Sequence, residues 1–198
     1  MDGMVRAAAN SLVKADASSS PAQPLLRCVE GDRGAWRQLH RQYYPVAAAF
    51  LRKLGVHERD LDDACQEVFL QVFRYLARFR GEADPKTWLY RLCITQARRA
   101  RLRHKVTHAL ESVLVLLPRE ALVSTPSFNE HAAQQRIEAA LARLSEKERA
   151  AFVLYEMEGI AGKQIAAIIG CKEATLWRRL HYARQVFRAA LEASEVAP

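Results

Sequence analysis

Cysteine is scarce in this chain of 198 residues, and its distribution excludes the simplest cysteine-based architectures. The four cysteines are widely separated and none forms a C-x-x-C pair, which argues against a disulfide framework or a zinc knuckle. They are Cys28, Cys65, Cys93 and Cys171. Three of them fall within apolar helical patterns, which is typical of free thiols that serve as small core side chains in a reducing cytosol.

Long apolar runs are lacking as well. No stretch approaches the ~20 residues that a membrane span needs, and the longest candidate, Val113 to Leu117, ends at Pro118. Arg6 and Lys14 near the N-terminus are not followed by the apolar core of a signal peptide. The sequence therefore predicts a cytoplasmic protein without membrane insertion.

Acidic residues are fewer than basic ones, 22 against 30, which gives a formal net charge of +8 and a pI of about 9.6. Half of the residues are hydrophobic, so the chain can bury a core as one large domain or two small ones. A basic balance fits a nucleic acid or another anionic surface, but it also fits a solvated surface without function. Composition alone leaves both interpretations open.

Alternation typical of β-strands is missing, whereas apolar residues recur in steps of three and four. We therefore predict an all-α fold with two small helical domains joined by a flexible linker. Composition shifts divide the chain into a disordered tail (1–24), a first domain (25–105), a linker (106–132) and a second domain (133–198).

Capping residues predict where several of the helices begin and end. Pro45 is expected to interrupt the first long helix, and Gly55 to end it. The next helix is expected to begin near Glu58 because acidic residues favour a helix N-terminus. In the second domain, Ser145 and Glu148 have the spacing of a capping box.

The clearest functional motif is a helix-turn-helix near the C-terminus. Ala166 provides a small residue where two helices cross, and Gly170 follows at the turn position that tolerates positive φ. Leu176 and Leu180 then form the buried stripe of the second helix. The outer face is left with Ala174, Trp177, Arg178 and His181, and with Lys172 and Arg184 near its ends. Donors on that face favour DNA binding over a plain helical hairpin.

A second feature is a basic helix that contains no acidic residue. Between Lys86 and Lys105 lie Arg91, Arg98, Arg99, Arg101 and Arg103, interleaved with Trp88 and Tyr90. Basic groups follow a phosphate backbone and aromatic rings stack on unpaired bases. A solvated basic helix with Trp88 in the core is the alternative, but the clustering of charge favours a nucleic acid.

A third feature is the acidic start of the helix that follows Gly55. Asp60, Asp62, Asp63 and Glu67 can complement the helix dipole, form a metal or acid–base site, or present a docking face for a protein. No histidine lies in a matching helical register, so catalysis is not favoured. His104 and His108 are four residues apart, but a zinc site needs further ligands and none is close in sequence.

These features together resemble one family. The segment Asp62 to Phe69 resembles the conserved-region-2 helix of bacterial RNA polymerase sigma factors, and Phe79–Glu82 with Thr87–Arg91 looks like their promoter −10 segment. The helix-turn-helix, with Glu158-Gly159-Ile160 before it and Ala174-Thr175-Leu176 within it, looks like conserved region 4, which reads the −35 element. The short linker resembles the extracytoplasmic-function (ECF) group of the sigma-70 family.

The resemblance implies three sets of binding residues. Core polymerase would be bound by Asp62, Asp63, Gln66, Glu67, Phe69 and Leu70. The −10 element would be bound by Arg80, Gly81, Lys86, Thr87, Trp88, Arg91, Thr95, Gln96, Arg98 and Arg99. The −35 element would be bound by Lys172, Ala174, Thr175, Trp177, Arg178, His181, Tyr182 and Arg184. The implied partners are core RNA polymerase, promoter DNA and an anti-sigma factor, with no cofactor, metal or catalytic residue.

The sequence departs from the family pattern at four positions. Ala174 replaces a common glycine, Trp177 a basic residue, Tyr182 an arginine and Thr95 an asparagine. These changes affect the promoter sequence that is read, whereas the buried framework is unchanged. Two other functions remain as alternatives: a helix-turn-helix regulator that acts without core polymerase, and a helical metal-dependent hydrolase that uses His104 and His108.

Overall fold

The all-α prediction is confirmed for every segment that the structure describes. A computed structural model describes residues 27–76, 85–114 and 128–195, without the side chains at 105, 108–114, 128–132 and 194–195. The first domain comprises α1 (Arg33–Lys53), α2 (Glu58–Leu76) and α3 (Pro85–Leu114). The second comprises α4 (Phe128–Ala142), α5 (Glu146–Phe152), a π-helical turn (Val153–Met157), α6 (Gly162–Ile169) and α7 (Glu173–Glu195). The predicted tail, Arg80, Gly81 and residues 115–127 of the predicted linker lie outside the described residues.

The three helices of the first domain pack against one another around an apolar core. Asp32 starts α1 because its carboxylate accepts hydrogen bonds from the backbone N–H groups of Gly34 and Ala35. Gly55, with φ of +81°, follows the end of α1 as expected. Phe50 and Tyr90 are fully buried with ring centroids 4.4 Å apart, which joins α1 to α3.

Two features of these helices differ from the prediction. Pro45 lies inside α1 and does not interrupt it. Its missing N–H removes one backbone hydrogen bond, but burial of Ala47, Phe50 and Leu51 just after it holds the helix together. In addition, α3 continues to Leu114, beyond the predicted domain boundary at residue 105.

The second domain contains the predicted helix-turn-helix. Ser145 and Glu148 form the predicted capping box at the start of α5. Gly170 ends α6 in the left-handed region with φ of +71°, so α7 can turn back across α6. Leu176 and Leu180 of α7 are fully buried. The buried cluster that they join continues without interruption into the first domain.

The cysteines behave as the sequence predicts for free thiols in the described part of the chain. Cys65 and Cys93 are fully buried, whereas Cys28 and Cys171 are half-buried. Burial raises the pKa of Cys65 to about 11, so this thiol stays protonated at neutral pH.

Replacement of Leu176 should show how strongly the helix-turn-helix depends on its buried stripe. Because the side chain is fully buried, Leu176→Ala is expected to lower the free energy of unfolding by ~2–5 kcal/mol. Leu102→Ala is the matched control, since Leu102 is 64% exposed and should change stability by no more than about 0.5 kcal/mol. Equal effects of the two substitutions in urea denaturation would contradict this account of the core.

Candidate DNA-binding and polymerase-binding surfaces

The outer face of α7 presents the predicted −35 residues to solvent. Ala174, Trp177, Arg178, His181 and Tyr182 are all exposed, and Lys172 is exposed at the turn before the helix. Thr175 is half-buried. The orientation follows from helical geometry, because Leu176 and Leu180 occupy the opposite face. The predicted outer positions are therefore turned away from the core.

Trp177 packs against the first helix of the motif. A Cβ placed on Gly162 would lie 2.6 Å from Cζ2 of Trp177, so the indole ring needs a glycine beneath it. The same ring meets Tyr155 edge-on, with centroids 5.4 Å apart. Trp177 is nevertheless 43% exposed, so one edge of the ring remains available to a partner. The family's usual basic residue is thus replaced here by a side chain that braces the recognition helix.

Arg184 has a similar bracing contact. Its guanidinium bonds to the Glu156 carboxylate at 2.7 Å and lies 5.4 Å from the centroid of the Tyr155 ring. These contacts tie the middle of α7 to the π-helical turn. The pair is partly solvent-exposed, so it contributes little stability by itself. Its main consequence is a defined orientation of α7.

The predicted −10 residues of α3 divide into exposed and buried positions. Arg91, Thr95, Arg98 and Arg99 are exposed, and Lys86, Thr87 and Trp88 are half-buried. Gln96 differs, since only 1% of it is exposed. Its side-chain nitrogen has no hydrogen-bond partner among the described residues. In this conformation Gln96 faces the protein interior.

The acidic start of α2 forms a largely exposed face. Asp62, Asp63, Gln66 and Leu70 are exposed and Glu67 is half-buried. The hydroxyl of Tyr44 donates a hydrogen bond to Asp62 at 2.9 Å, and this bond raises the pKa of Tyr44 to about 12. The hydrogen bond therefore holds Tyr44 of α1 next to the acidic face of α2.

Phe69 has a different position from the other predicted polymerase-binding residues. It is only 4% exposed, and its ring packs against His40 and Tyr44 with centroids 4.6 Å and 5.9 Å away. Phe69 therefore holds α2 against α1. Phe73, one turn further on and 65% exposed, was not identified from the sequence although its spacing from Phe69 could have indicated it.

Glu158 connects the second domain to the first. Its carboxylate accepts hydrogen bonds from Lys53 Nζ at 2.8 Å and from the Tyr90 hydroxyl, and Lys86 Nζ lies 3.7 Å away. Burial by itself raises the pKa of Glu158, but the bonds from Lys53 and Tyr90 outweigh it and hold the pKa below the ordinary value. Glu158 is therefore ionised at neutral pH although its side chain is only 12% exposed.

Arg149 forms a second polar contact between the domains. Its guanidinium lies on the backbone of the α1–α2 loop and donates a hydrogen bond to the carbonyl of Leu54 at 3.2 Å. A Cβ on Gly55 would overlap Nη1 of Arg149, so this close approach requires glycine. Burial lowers the pKa of Arg149 to about 10. Nothing in its sequence neighbourhood had indicated this contact.

The basic side chains of α3 also meet the second domain. Arg98 and Arg101 lie 4.0 Å and 3.7 Å from the carboxylate of Glu146 at the start of α5. Together with the pair between Lys86 and Glu158, these contacts place acids of the second domain against the predicted −10 helix. In the described arrangement, part of the basic face of α3 is therefore already neutralised.

Comparisons with known proteins identify the two domains. The family models for Sigma-70 region 2 and Sigma-70 region 4 match residues 39–107 and 134–186, which contain the basic helix and the helix-turn-helix. The chain is similar to the ECF RNA polymerase sigma factor SigM of Mycobacterium tuberculosis, with 32% identity over 83% of this chain and 81% of the relative. It is 27% identical to the ECF sigma-E factor of Escherichia coli over 80% of this chain and 87% of the relative.

Two solved structures have the same fold. A structure of CnrH in complex with the cytosolic domain of CnrY matches with a TM-score of 0.66 and 21% identity, covering 88% of this chain and 99% of CnrH. The sigma factor RpoE of Bartonella quintana, in complex with the anti-sigma factor NepR, matches with a TM-score of 0.63 and 22% identity, covering 82% of this chain and 98% of RpoE. In the described part of the chain, no helix is both long and apolar enough to cross a membrane. The identity and coverage of the curated relatives, together with both family models, show that the chain belongs to the ECF group of RNA polymerase sigma factors, which direct core polymerase to promoters.

Proposed function

We propose that this chain places α7 at the −35 element and α3 at the −10 element while the acidic face of α2 binds core polymerase. The observation that carries the proposal is the outer face of α7, where Arg178 and His181 are exposed directly opposite the buried Leu176. The chain itself performs no chemistry, and the polymerase supplies the active site. It acts in the cytoplasm, where that enzyme works.

The geometry of α7 supports entry into the major groove. A recognition helix must expose donors for base edges and remain firmly held by the helix behind it. Arg178 has an exposed outer position, whereas Trp177 packs on Gly162 and Arg184 is held by Glu156. We therefore assign base reading to Arg178 and bracing to the other two.

The exposed arginines of α3 suit the −10 element. Arg91, Arg98 and Arg99 lie on the surface and can contact phosphates as the duplex opens. The predicted set also includes Lys86, Thr87, Trp88 and Thr95, together with Arg80 and Gly81, which lie outside the described residues. Gln96 would reach a flipped base only if its buried side chain turned outward. The proposed domains are 25–105 for −10 and polymerase binding and 133–198 for −35 binding; the helices α3 and α4 extend into the segment 106–132 between them, to Leu114 and from Phe128.

In the closed arrangement, as described above, the two domains are in contact with each other. This arrangement and the DNA-bound arrangement compete for the same side chains. Lys86 pairs with Glu158 and Arg101 pairs with Glu146, so these two basic groups cannot also be fully available to phosphates. Core binding would have to separate the domains before α3 contacts DNA. The solved relatives CnrH and RpoE are described in complexes with partner proteins. We propose that an anti-sigma factor likewise binds this chain and favours a closed arrangement.

Removal of the Glu158 charge should loosen the closed arrangement. Glu158→Gln removes the negative charge that pairs with Lys53 and leaves only one acceptor oxygen for the two donors Lys53 and Tyr90, which should cost about 1–3 kcal/mol. Small-angle scattering should show a larger radius of gyration, and Glu192→Gln, at an exposed site, should leave it unchanged.

The same contact predicts that the stability of the folded chain depends on pH. The folded-state pKa of Glu158 is below the ordinary 4.5, so its contribution to stability is present above that value. It is lost as the pH falls through the lowered pKa. The amide introduced by Glu158→Gln does not titrate, so this part of the acid dependence should be absent from that variant's melting curves. Identical scattering and acid dependence of variant and parent would exclude Glu158 as the interdomain contact.

Promoter selection tests the function itself and the assignment of Arg178. With purified core polymerase, the chain should initiate transcription from a library with a randomised −35 element and select particular sequences. Arg178→Ala should lose preference at one position, worth ~1–3 kcal/mol of discrimination. Arg188→Ala is the control, because Arg188 is exposed further along α7. Tight operator binding without core polymerase would instead indicate an ordinary helix-turn-helix regulator.

Charge reversal tests the docking face on α2. Asp63→Lys combined with Glu67→Lys should weaken core polymerase binding by about tenfold or more, since repulsion across such a contact costs several kcal/mol. Glu30→Lys with Glu192→Lys introduces the same change in charge at two exposed positions elsewhere. If both folded double variants co-purify equally with core polymerase, the acidic face does not contribute to docking.

A further inference from the structure

Three potential metal ligands meet on the first domain, away from the proposed −35 surface. His57 lies in the loop between α1 and α2, Asp60 in the first turn of α2, and His104 on α3. One ligand atom from each residue lies within 4.8 Å of those from the other two. The sequence does not reveal this cluster, because Asp60 and His104 are 44 residues apart in the chain.

The contacts within the cluster prepare His104 to act as a ligand. Its Nδ1 lies 2.9 Å from Oδ2 of Asp60. These two atoms are close enough to bind one ion together, and the ion would then take the place of any proton shared between them. The ring of His57 stacks on that of His104, with centroids 4.7 Å apart and an angle of 17° between the planes. Asp60 and His104 are half-buried, so their relative position is fixed by the packing of α2 on α3.

We propose that His57, Asp60 and His104 bind one divalent transition metal ion of the Zn²⁺, Ni²⁺ or Co²⁺ class. Two imidazoles and one carboxylate match the ligand preference of these ions, and water completes the coordination. Imidazole nitrogens bind metals in the plane of the ring, and the His57 and His104 rings are stacked at 17°, so His57 must turn before both rings can bind one ion. Its exposed position in a loop allows that rotation.

Nearby arginine side chains do not cancel the electrostatic attraction of this site for a metal ion. Arg52 and Arg101 line the same cleft as His57. Arg52 is bonded to Glu58 at 2.9 Å, and Arg101 lies 3.7 Å from Glu146, so each already has an acidic partner. Asp60 supplies a negative charge within the cluster. A bound ion would link the α1–α2 loop to α3, and thereby stabilise the bundle that carries the proposed −10 surface.

The site can be tested with the full chain, after removal of metal by a chelator and without a histidine tag. Titration with Co²⁺ should give the visible absorption of a nitrogen- and oxygen-bound ion at one equivalent, and Zn²⁺ should displace it. At a hundredfold excess over the dissociation constant, Zn²⁺ should raise the melting temperature by about 5 °C or more. Neither measurement depends on transcription, so the result is independent of the proposed function.

Matched variants separate this cluster from general binding by surface histidines. His57→Ala should abolish the Co²⁺ spectrum and the Zn²⁺-dependent stabilisation without affecting the Asp60–His104 contact, and Asp60→Asn should weaken both. His40→Ala and His181→Ala, at two other exposed histidines, should retain them. A parent protein that binds no Co²⁺, or a His57→Ala variant that binds it as well as the parent, would overturn the proposal.

Discussion

The buried carboxylate of Glu158 is the interaction on which the arrangement of the two domains depends. It lies just before the helix-turn-helix, yet its hydrogen-bond partners Lys53 and Tyr90 belong to α1 and α3 of the other domain. A charge so far removed from water is tolerated only when donors surround it. Because both donors come from the first domain, the carboxylate keeps these protein partners only while the domains remain together.

This dependence makes the domain interface suited to separation. Arg149 likewise reaches across the interface to a backbone carbonyl, and its guanidinium retains one buried N–H group without a partner in the described residues. Apolar residues form one continuous cluster through both domains, but these polar anchors can exchange their protein partners for water when the interface opens. Closure is thereby linked to the function, since Lys86 belongs both to the interface and to the predicted −10 surface.

The recognition helix depends on a more local set of contacts. Gly162 leaves room for the Trp177 ring, Tyr155 supports the edge of that ring, and Arg184 is held by Glu156. These contacts connect α7 to α6 and to the π-helical turn before it. They also explain how a chain with tryptophan in place of the family's basic residue keeps a firmly placed recognition helix.

The sequence by itself determined the helices, their caps and the outward face of α7. Ser145 with Glu148, Gly170, and the spacing of Leu176 and Leu180 act over a few residues, so their effects can be inferred from spacing. Tightly packed neighbours outweighed the local signal at Pro45, which α1 contains without interruption.

Only the tertiary structure decided which distant side chains meet. Tyr90 and Glu158 are 68 residues apart, and Asp60 and His104 are 44 apart. Burial of Phe69 and Gln96 also followed from packing, since each faces a neighbouring helix that the spacing within its own helix does not locate. Helical periodicity specifies a face, but the partner of that face depends on how the helices pack in three dimensions.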